Sequence, residues 1–397
     1  MNSATSPNPF TQSSPLAPSV ASTQSSLLAP SVASTQSSLL APSASTFEWR
    51  NIFLCEPGEI SWQHSGIDVL PDGRLIYAAP DGSTLVIEDV AARTREFVET
   101  PVHEMHDVVS AEEGIWLCDI GHKYVLSDGA YVDKFTPARV VRINLLGEVL
   151  QELLQPDLPD YKEKTWSPTG LTVAPNGDVW IADGYSSYLV LRFNSHGEFL
   201  QSFNGEKAAL DFNCPHTIRC IVGEDQNQRS SNGANTISGE NQLSKTIASD
   251  SQDPHDELTV PDYELAVTDY ELVIADRANK RLVWMRADGE VTRIEDDPLL
   301  TSPSGITRYG AGLLVTQLHG SLVYVGDDGL CRVILSGPDN HLEAGWPNSI
   351  DGAGVPVAPA LSTSSLIAPH GITTSKSGEV FLTQWLIGGH VLGGTPR

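Results

Sequence analysis

The sequence predicts an all-β fold, a six-bladed β-propeller, and three observations lead to that prediction. A unit consisting of a small residue and glycine, an alternating apolar run, a turn and further β-rich runs recurs along the chain. The period of about 40 to 50 residues is typical of four-stranded propeller blades. The last copy of the unit ends early, as expected if a segment from the N-terminal side completes it.

Six copies of the unit can be identified. They begin at His64, Met105, Pro168, Pro215, Pro303 and Pro369. The fourth opens as PHTIRCI and resumes as YELVIADRANKRLVWMRADGEV after a polar tract. The sixth ends at GGHVLGGTPR, so we expect the segment EWRNIFLCE to provide its outermost strand.

Two segments differ in composition from the repeats. Residues 1–46 repeat LAPSVASTQSSL every 12 residues and are rich in Ser, Ala, Pro and Thr, while residues from about 223 to 262 are polar. Such segments cannot bury enough apolar surface to offset the entropy lost on ordering. We therefore predict a disordered low-complexity tail over 1–46 and a propeller over 47–397 that carries a disordered insertion at about 223–262.

Charge and composition limit the classes of molecule that can bind this protein. A formal net charge of −26 and a pI near 4.6 disfavour nucleic acid, and an anionic substrate would need a local cation. Five cysteines without metal-type spacing favour reduced thiols. Without an apolar run of bilayer length or a visible signal peptide, we expect no membrane partner, a cytoplasmic location with secretion left open, and a monomer.

One position in each repeat, just before the glycine, carries the strongest functional signal. In chain order it holds Ser65, His106, Thr169, His216, Ser304 and His370. Histidine fills every second copy, and equivalent positions on alternate blades of a sixfold ring are related by about 120° around the central channel. Three imidazoles converging on one axis form the ligand pattern of a catalytic zinc with one open position.

Other interpretations of these histidines remain open. Each could be a histidine at a strand start that bonds a neighbouring carbonyl, and His103 could replace His106. The histidines outside this position, namely His64, His122, His196, His255, His319, His341 and His390, are predicted to be ordinary surface residues.

The ends of the second strands should lie on the same face as the histidines, because strands in an antiparallel meander reverse direction. Tyr185 follows one such end and is a candidate base, since a nearby dication would lower the pKa of a phenol. Arg277 follows another and could hold a carboxylate. Alternatively, Tyr185 is a rim aromatic, and Arg277 pairs with Asp276 or Asp183. Those two aspartates and Asp119 are expected to fix turns.

The stretches GLTVAPNGDVWIADGYSSYLVLRFNSHGEFL, CPHTI with ELVIADRANKRL, and APHGI resemble a known family. The chain, over roughly residues 103–385, is similar to NHL-repeat six-bladed propellers and, among them, to the peptidyl-α-hydroxyglycine α-amidating lyases (peptidylamidoglycolate lyases). The resemblance implies that His106, His216 and His370 bind zinc. It also implies that Tyr185 acts as the base and that Arg277 helps to hold the substrate. The implied reaction cleaves an N-acyl α-hydroxyglycine to an amide and glyoxylate.

The chain departs from the family pattern at two places. The family has a substrate-facing arginine in its first blade, where this chain reads YAAPDGST with Asp81 nearest. It also has an aspartate after its third histidine to bind a structural calcium; here Gly371 is at that place, and Asp107 follows the first histidine. The resemblance therefore leaves calcium in doubt.

The predicted function is a zinc lyase acting on a small molecule or peptide with a carboxylate. The alternative is a non-catalytic NHL propeller that binds a protein or peptide. A propeller lactonase ranks below both, because such enzymes favour carboxylate and asparagine ligands around calcium.

Overall fold

The computed structural model describes residue 42 and residues 46–54, 58–205, 210–222, 270–337 and 347–397. The predicted insertion lies outside these residues, as does the predicted tail apart from Pro42 and Thr46. Strands are numbered β1 to β30 in chain order. Pro159–Tyr161 forms a 3-10 turn, and no helix among the described residues has the length and apolar character needed to span a bilayer.

Six four-stranded antiparallel sheets are arranged as the blades of a propeller, which confirms the predicted fold class. From the centre outward, blade one is β3 (Ile67–Val69), β4 (Leu75–Ala78), β5 (Thr84–Asp89) and β6 (Thr94–Glu99). Blade two is β7 (Met105–Ala111), β8 (Gly114–Asp119), β11 (Arg139–Ile143) and β12 (Val149–Leu153). Blade three is β13 (Gly170–Val173), β14 (Val179–Asp183), β15 (Leu189–Phe193) and β16 (Phe199–Phe203).

The other three blades continue the ring. Blade four is β17 (Pro215–Val222), β18 (Tyr270–Asp276), β19 (Arg281–Arg286) and β20 (Val291–Glu295). Blade five is β21 (Pro303–Tyr309), β22 (Gly312–Gln317), β23 (Ser321–Gly326) and β24 (Cys331–Ser336). Blade six is β27 (Pro369–Thr374), β28 (Val380–Gln384), β30 (His390–Pro396) and β1 (Phe47–Leu54).

Both irregular blades form as the sequence predicts. In blade four, β17 and β18 pair across the polar tract, with Ile218 opposite Ile274. In blade six, β1 pairs antiparallel with β30, with Trp49 opposite Gly394. The outermost strand of the last blade is thus supplied from the N-terminal side, so strands from both ends of the propeller close the ring.

The core lies between neighbouring blades. Every residue of β14 and of β22 is buried, whereas β6 is almost entirely exposed. Inner strands are covered on both faces by adjacent sheets, so their sequences are nearly continuous apolar runs. Trp180, for example, is fully buried and stacks on Phe203 with ring centroids 5.6 Å apart.

The glycine of the recurring motif is required by close approach at the ring centre. A Cβ on Gly371 would lie 2.7 Å from the Cα of Gly66, and one on Gly305 would lie 2.5 Å from the carbonyl oxygen of His370. Both neighbours are backbone atoms of the next blade, which cannot move aside as a flexible side chain could. Innermost strands therefore come close enough to bring the preceding residues to the axis.

Three small two-stranded sheets complete the structure. The hairpin of β9 (His122–Ser127) and β10 (Ala130–Phe135) is inserted in blade two. The pairs β2 (Trp62–Gln63) with β29 (Leu386–Ile387), and β25 (Ser349–Ile350) with β26 (Pro356–Val357), join connecting segments. The β2–β29 pair fixes the chain just before blade one enters the ring.

Candidate metal centre

The three residues predicted as metal ligands meet where the innermost strands converge. His106 lies on β7, His216 on β17 and His370 on β27, in blades two, four and six. Their ring centroids are 4.6 to 4.9 Å apart, and none of these residues is more than 3% exposed. Histidine on every second blade therefore places three imidazoles around one buried point. His103, the alternative to His106, is exposed.

Each of these rings is held by the backbone of the following blade. Nδ1 of His106 lies 2.5 Å from the carbonyl oxygen of Thr169. Nδ1 of His216 lies 3.1 Å from that of Ser304, and Nδ1 of His370 lies 3.0 Å from that of Ser65. A carbonyl oxygen only accepts hydrogen bonds, so each Nδ1 carries the proton and each Nε2 carries a lone pair. All three Nε2 atoms are buried and have no hydrogen-bond partner among the described residues. Three such lone pairs at one point fit a metal cation.

His64 is a fourth member of the cluster, and the prediction that it is a surface residue is wrong. It is 8% exposed, with ring centroids 4.2 Å from that of His106 and 4.6 Å from that of His370. One ligand atom from each of the four rings lies within 4.8 Å of the others. His64 precedes the aligned position by one residue, so the repeat pattern gave no reason to place it inside. The β2–β29 pairing directs it there.

His390 is likewise buried, although the sequence predicts it at the surface. It lies at the start of β30, where its Nδ1 is 2.6 Å from Nε2 of Gln384 and its Nε2 is 2.9 Å from Oδ1 of Asn51. Both ring nitrogens are therefore satisfied within blade six. The role of His390 is therefore structural, in contrast to the four histidines at the axis, which are candidate metal ligands.

Burial lowers the pKa of all four axial imidazoles. The neighbouring imidazoles add to this effect for His64 and His106, and the charge of Arg277 adds to it for His216. The pKa of His370 is lowered to about 3, again mainly by burial. The rings are therefore neutral near pH 7, which is the protonation state in which imidazole binds metals.

Tyr185 and Arg277 lie together beside the histidine cluster. Nη2 of Arg277 donates a hydrogen bond of 2.9 Å to the phenol oxygen of Tyr185. The Tyr185 ring centroid is 5.4 Å from that of His106 and 5.9 Å from that of His216. Burial raises the pKa of Tyr185 to about 12, although the Arg277 charge acts in the opposite direction. The two residues form a phenol–guanidinium pair next to the metal-ligand candidates.

The aspartates at the second-strand ends fix turns, as the sequence predicts. Asp119 accepts hydrogen bonds from the backbone N–H groups of His103 and Gly121. Asp183 accepts from the backbone of Ser167 and Ser187. Asp276 accepts from the side chains of Asn279 and Arg281. These bonds anchor the loops that carry Tyr185 and Arg277.

Asp107, which follows His106, does not offer a free carboxylate for calcium. Nη1 and Nη2 of Arg219 lie 2.9 Å and 3.0 Å from its two oxygens. The backbone N–H groups of Val108 and Leu171 also donate to it. The guanidinium of Arg219 thus supplies the positive charge here, and these residues do not fit a calcium site.

The first-blade region contains no arginine directed at the cluster among the described residues. Asp81 accepts hydrogen bonds from the backbone N–H groups of Ser83 and Thr84, so it fixes a turn. The nearby cation is Lys123 of the β9–β10 hairpin, which bonds to the carbonyl oxygen of Trp62 and to Glu104. Lys123 is therefore engaged within the protein.

Aromatic side chains form a wall on one side of the cluster. Trp62 stacks on Trp385 at 5.1 Å and contacts Tyr124 and Tyr131 of the β9–β10 hairpin at 5.5 Å each. The Trp385 ring lies 5.4 Å from that of His64. The wall gives the site an apolar face next to His64.

Comparison with known proteins supports the fold. No protein-family model and no curated protein matches the chain. Among solved structures, one described as a streptogramin B lyase matches with a TM-score of 0.51 at 14% identity, covering 90% of this chain and 100% of the other. A protein of unknown function from Bacteroides thetaiotaomicron matches with a TM-score of 0.50 at 10% identity, covering 90% of this chain and 75% of the other. At these identities the matches show a shared propeller fold alone.

Proposed function

We propose that this propeller is a metal-dependent lyase that cleaves an N-acyl α-hydroxyglycine to an amide and glyoxylate. One observation carries the proposal: three buried Nε2 lone pairs meet beside a tyrosine whose phenol is paired with a guanidinium. The sequence resemblance supplies the reaction, and the arrangement of the side chains supports it.

His106, His216 and His370 would hold the metal, for which zinc is proposed. Their Nδ1 protons are directed at backbone carbonyl oxygens, which fixes both the tautomer and the orientation of each ring. A bound zinc ion supplies Lewis acidity that favours loss of a proton from a nearby hydroxyl group. The ligand set is rigid because each ring is attached to an innermost strand and held by the adjacent one.

In its phenolate form, Tyr185 would take the proton from the hydroxyl group of the substrate. The carbon–oxygen double bond of glyoxylate then forms as the carbon–nitrogen bond of the substrate breaks. The electron pair of the broken bond leaves with the amide nitrogen. That nitrogen needs one proton, which the phenol of Tyr185 can return, so the reaction balances without a co-reactant. Burial favours the protonated phenol and raises the pKa of Tyr185, whereas the charge of Arg277 and its hydrogen bond to the phenol oxygen act in the opposite direction, as would the charge of a bound cation.

Arg277 would also attract the substrate carboxylate. The chain carries a net charge of −26, so an anionic substrate needs a cation placed at the site itself. Arg277 is 7% exposed and lies next to the cluster, where a guanidinium interacts more strongly with a carboxylate than at the surface. The aromatic wall of Trp62 and Trp385 would accommodate an apolar acyl group.

The test is elemental analysis of the purified protein together with glyoxylate release from α-hydroxyhippurate. We expect one zinc per chain and turnover in the wild type. Tyr185→Phe should keep the zinc and lose at least about a hundredfold in kcat, the size of effect typical of losing a general base. Tyr188→Phe is the matched control, since Tyr188 lies in the same turn and is 41% exposed.

Stoichiometric zinc without glyoxylate release would refute the proposed reaction. Equal turnover in Tyr185→Phe and the wild type would refute the role of the phenol. In the first case, a non-catalytic propeller that binds a protein or peptide becomes the better interpretation.

A further inference from the structure

His64 differs from the other three histidines in its place in the chain, because it lies in a connecting segment and not on an innermost strand. It lies in the short link between β2 and β3, one residue before the aligned position, and reaches the axis from the first blade. Its ring contacts those of His106, His370 and Trp385. Within the part of the chain that the structure describes, no carbonyl oxygen holds its Nδ1, in contrast to the three rings on innermost strands.

We propose that His64 is a fourth protein ligand of the metal, and that it is the ligand that gives way when substrate binds. This inference rests on the metal site of the proposed function. Its first part follows from position: His64 offers a nitrogen within 4.8 Å of the ligand atoms of the other three rings. Four imidazoles from four separate places in the chain surround the same buried point, and all four can bind one cation.

The second part follows from coordination chemistry. Structural zinc sites have four protein ligands, whereas catalytic zinc sites keep one position for water or substrate. Four bound imidazoles would fill a tetrahedral zinc ion, so substrate would have to displace one of them or add as a fifth ligand. His64 is the ring best able to move, because it lies in a connecting segment and is the most exposed of the four at 8%.

The experiment measures zinc coordination directly, by X-ray absorption on the zinc-loaded full-length protein. The wild type should show four imidazole ligands, and His64→Gln should show three. The zinc dissociation constant should rise at least about tenfold in His64→Gln. The matched control is His122→Gln: His122 lies 6.0 Å from the Tyr185 ring but pairs with Asp133 outside the cluster, and its replacement should change neither value.

Displacement is tested by adding the substrate analogue hippurate, which lacks the reactive hydroxyl group, to the zinc-loaded wild type. The number of imidazole ligands should fall from four to three as oxygen enters. Four imidazoles retained together with a bound oxygen would refute displacement, and three imidazoles in the protein without hippurate would refute ligation by His64. If His64→Gln fails to fold, the count in the wild type still decides the question.

These outcomes are separable from those of the proposed function. Four imidazoles without glyoxylate release would support His64 as a ligand and remove the lyase reaction. Three imidazoles with glyoxylate release would do the reverse. A protein that binds no zinc would overturn both.

Discussion

The even-numbered and odd-numbered blades share a backbone but contribute different parts of the site. At the aligned position, blades two, four and six carry histidine, whereas blades one, three and five carry Ser65, Thr169 and Ser304. The histidines provide the lone pairs at the axis. The odd-blade residues provide the carbonyl oxygens that hold the Nδ1 protons. A repeated fold thus builds a threefold set of candidate ligands by alternating histidine and support around the ring.

The alternation between histidine on even blades and small hydroxyl residues on odd blades also has a steric cause. The three rings are already 4.6 to 4.9 Å apart between centroids, so six rings could not share the same space. Small hydroxyl residues on the odd blades leave room for the imidazoles. His64 enters on an odd blade only because it comes from the position before Ser65.

The largest expected effect comes from exchanging a ligand for alanine on an even blade. The three ligands of the proposed function would share roughly 10–16 kcal/mol of zinc binding, so losing one should cost about 4 kcal/mol, or roughly a thousandfold in affinity. We expect His216→Ala to show this loss in zinc titrations by calorimetry.

The matched substitution on an odd blade is Ser304→Ala. The Oγ of Ser304 is buried with no hydrogen-bond partner among the described residues, and the carbonyl oxygen that holds His216 is retained. Zinc affinity should stay within about twofold of the wild type. Equal losses in the two variants would contradict the division into ligand and support.

A smaller effect is expected at the position directly after the histidine, where blade two has Asp107 and blade six has Gly371. Arg219→Met removes the guanidinium from the buried Asp107 carboxylate and should lower the free energy of unfolding by about 3 kcal/mol. That is the low end for breaking a buried pair, because the Arg219 side chain is 19% exposed. Urea unfolding measures it.

The double variant Asp107→Asn with Arg219→Met should recover part of this loss, because position 107 no longer carries an unpaired charge. Calcium should leave the stability of the wild type unchanged, since Arg219 already occupies both oxygens of Asp107. A clear calcium-dependent rise in wild-type stability would show that the channel binds calcium elsewhere.

Most of the fold and part of the site could be predicted from the sequence, for a physical reason. A repeat fixes the register of His106, His216 and His370, because equivalent residues in equivalent blades occupy equivalent positions. The pairing of β1 with β30 was predictable because the last copy lacks a strand. His64 could not be found this way, since the equivalent position in the other copies holds methionine or proline, and its place depends on the segment that connects β2 to β3. The pairing of Arg219 with Asp107 joins two different blades, which no pattern within one copy encodes.

The smallest expected effect tests the glycine that lets even and odd blades meet. A Cβ on Gly371 would lie 2.7 Å from the Cα of Gly66 and 2.9 Å from the carbonyl oxygen of Ser65. That oxygen holds Nδ1 of His370, so Gly371→Ala should disturb both packing and ligand orientation. We expect a loss of about 2 kcal/mol in unfolding free energy, as for moderate overpacking, measured by urea unfolding of the metal-free protein.

Gly352→Ala is the control, because a Cβ there would meet nothing within 4 Å and the backbone needs no left-handed conformation. Its stability should change by less than about 0.5 kcal/mol. If Gly371→Ala is as stable as this control, blades one and six can separate at the axis without cost. The close contact between innermost strands would then not be what orients His370, and the preference for glycine after the aligned position would need another cause.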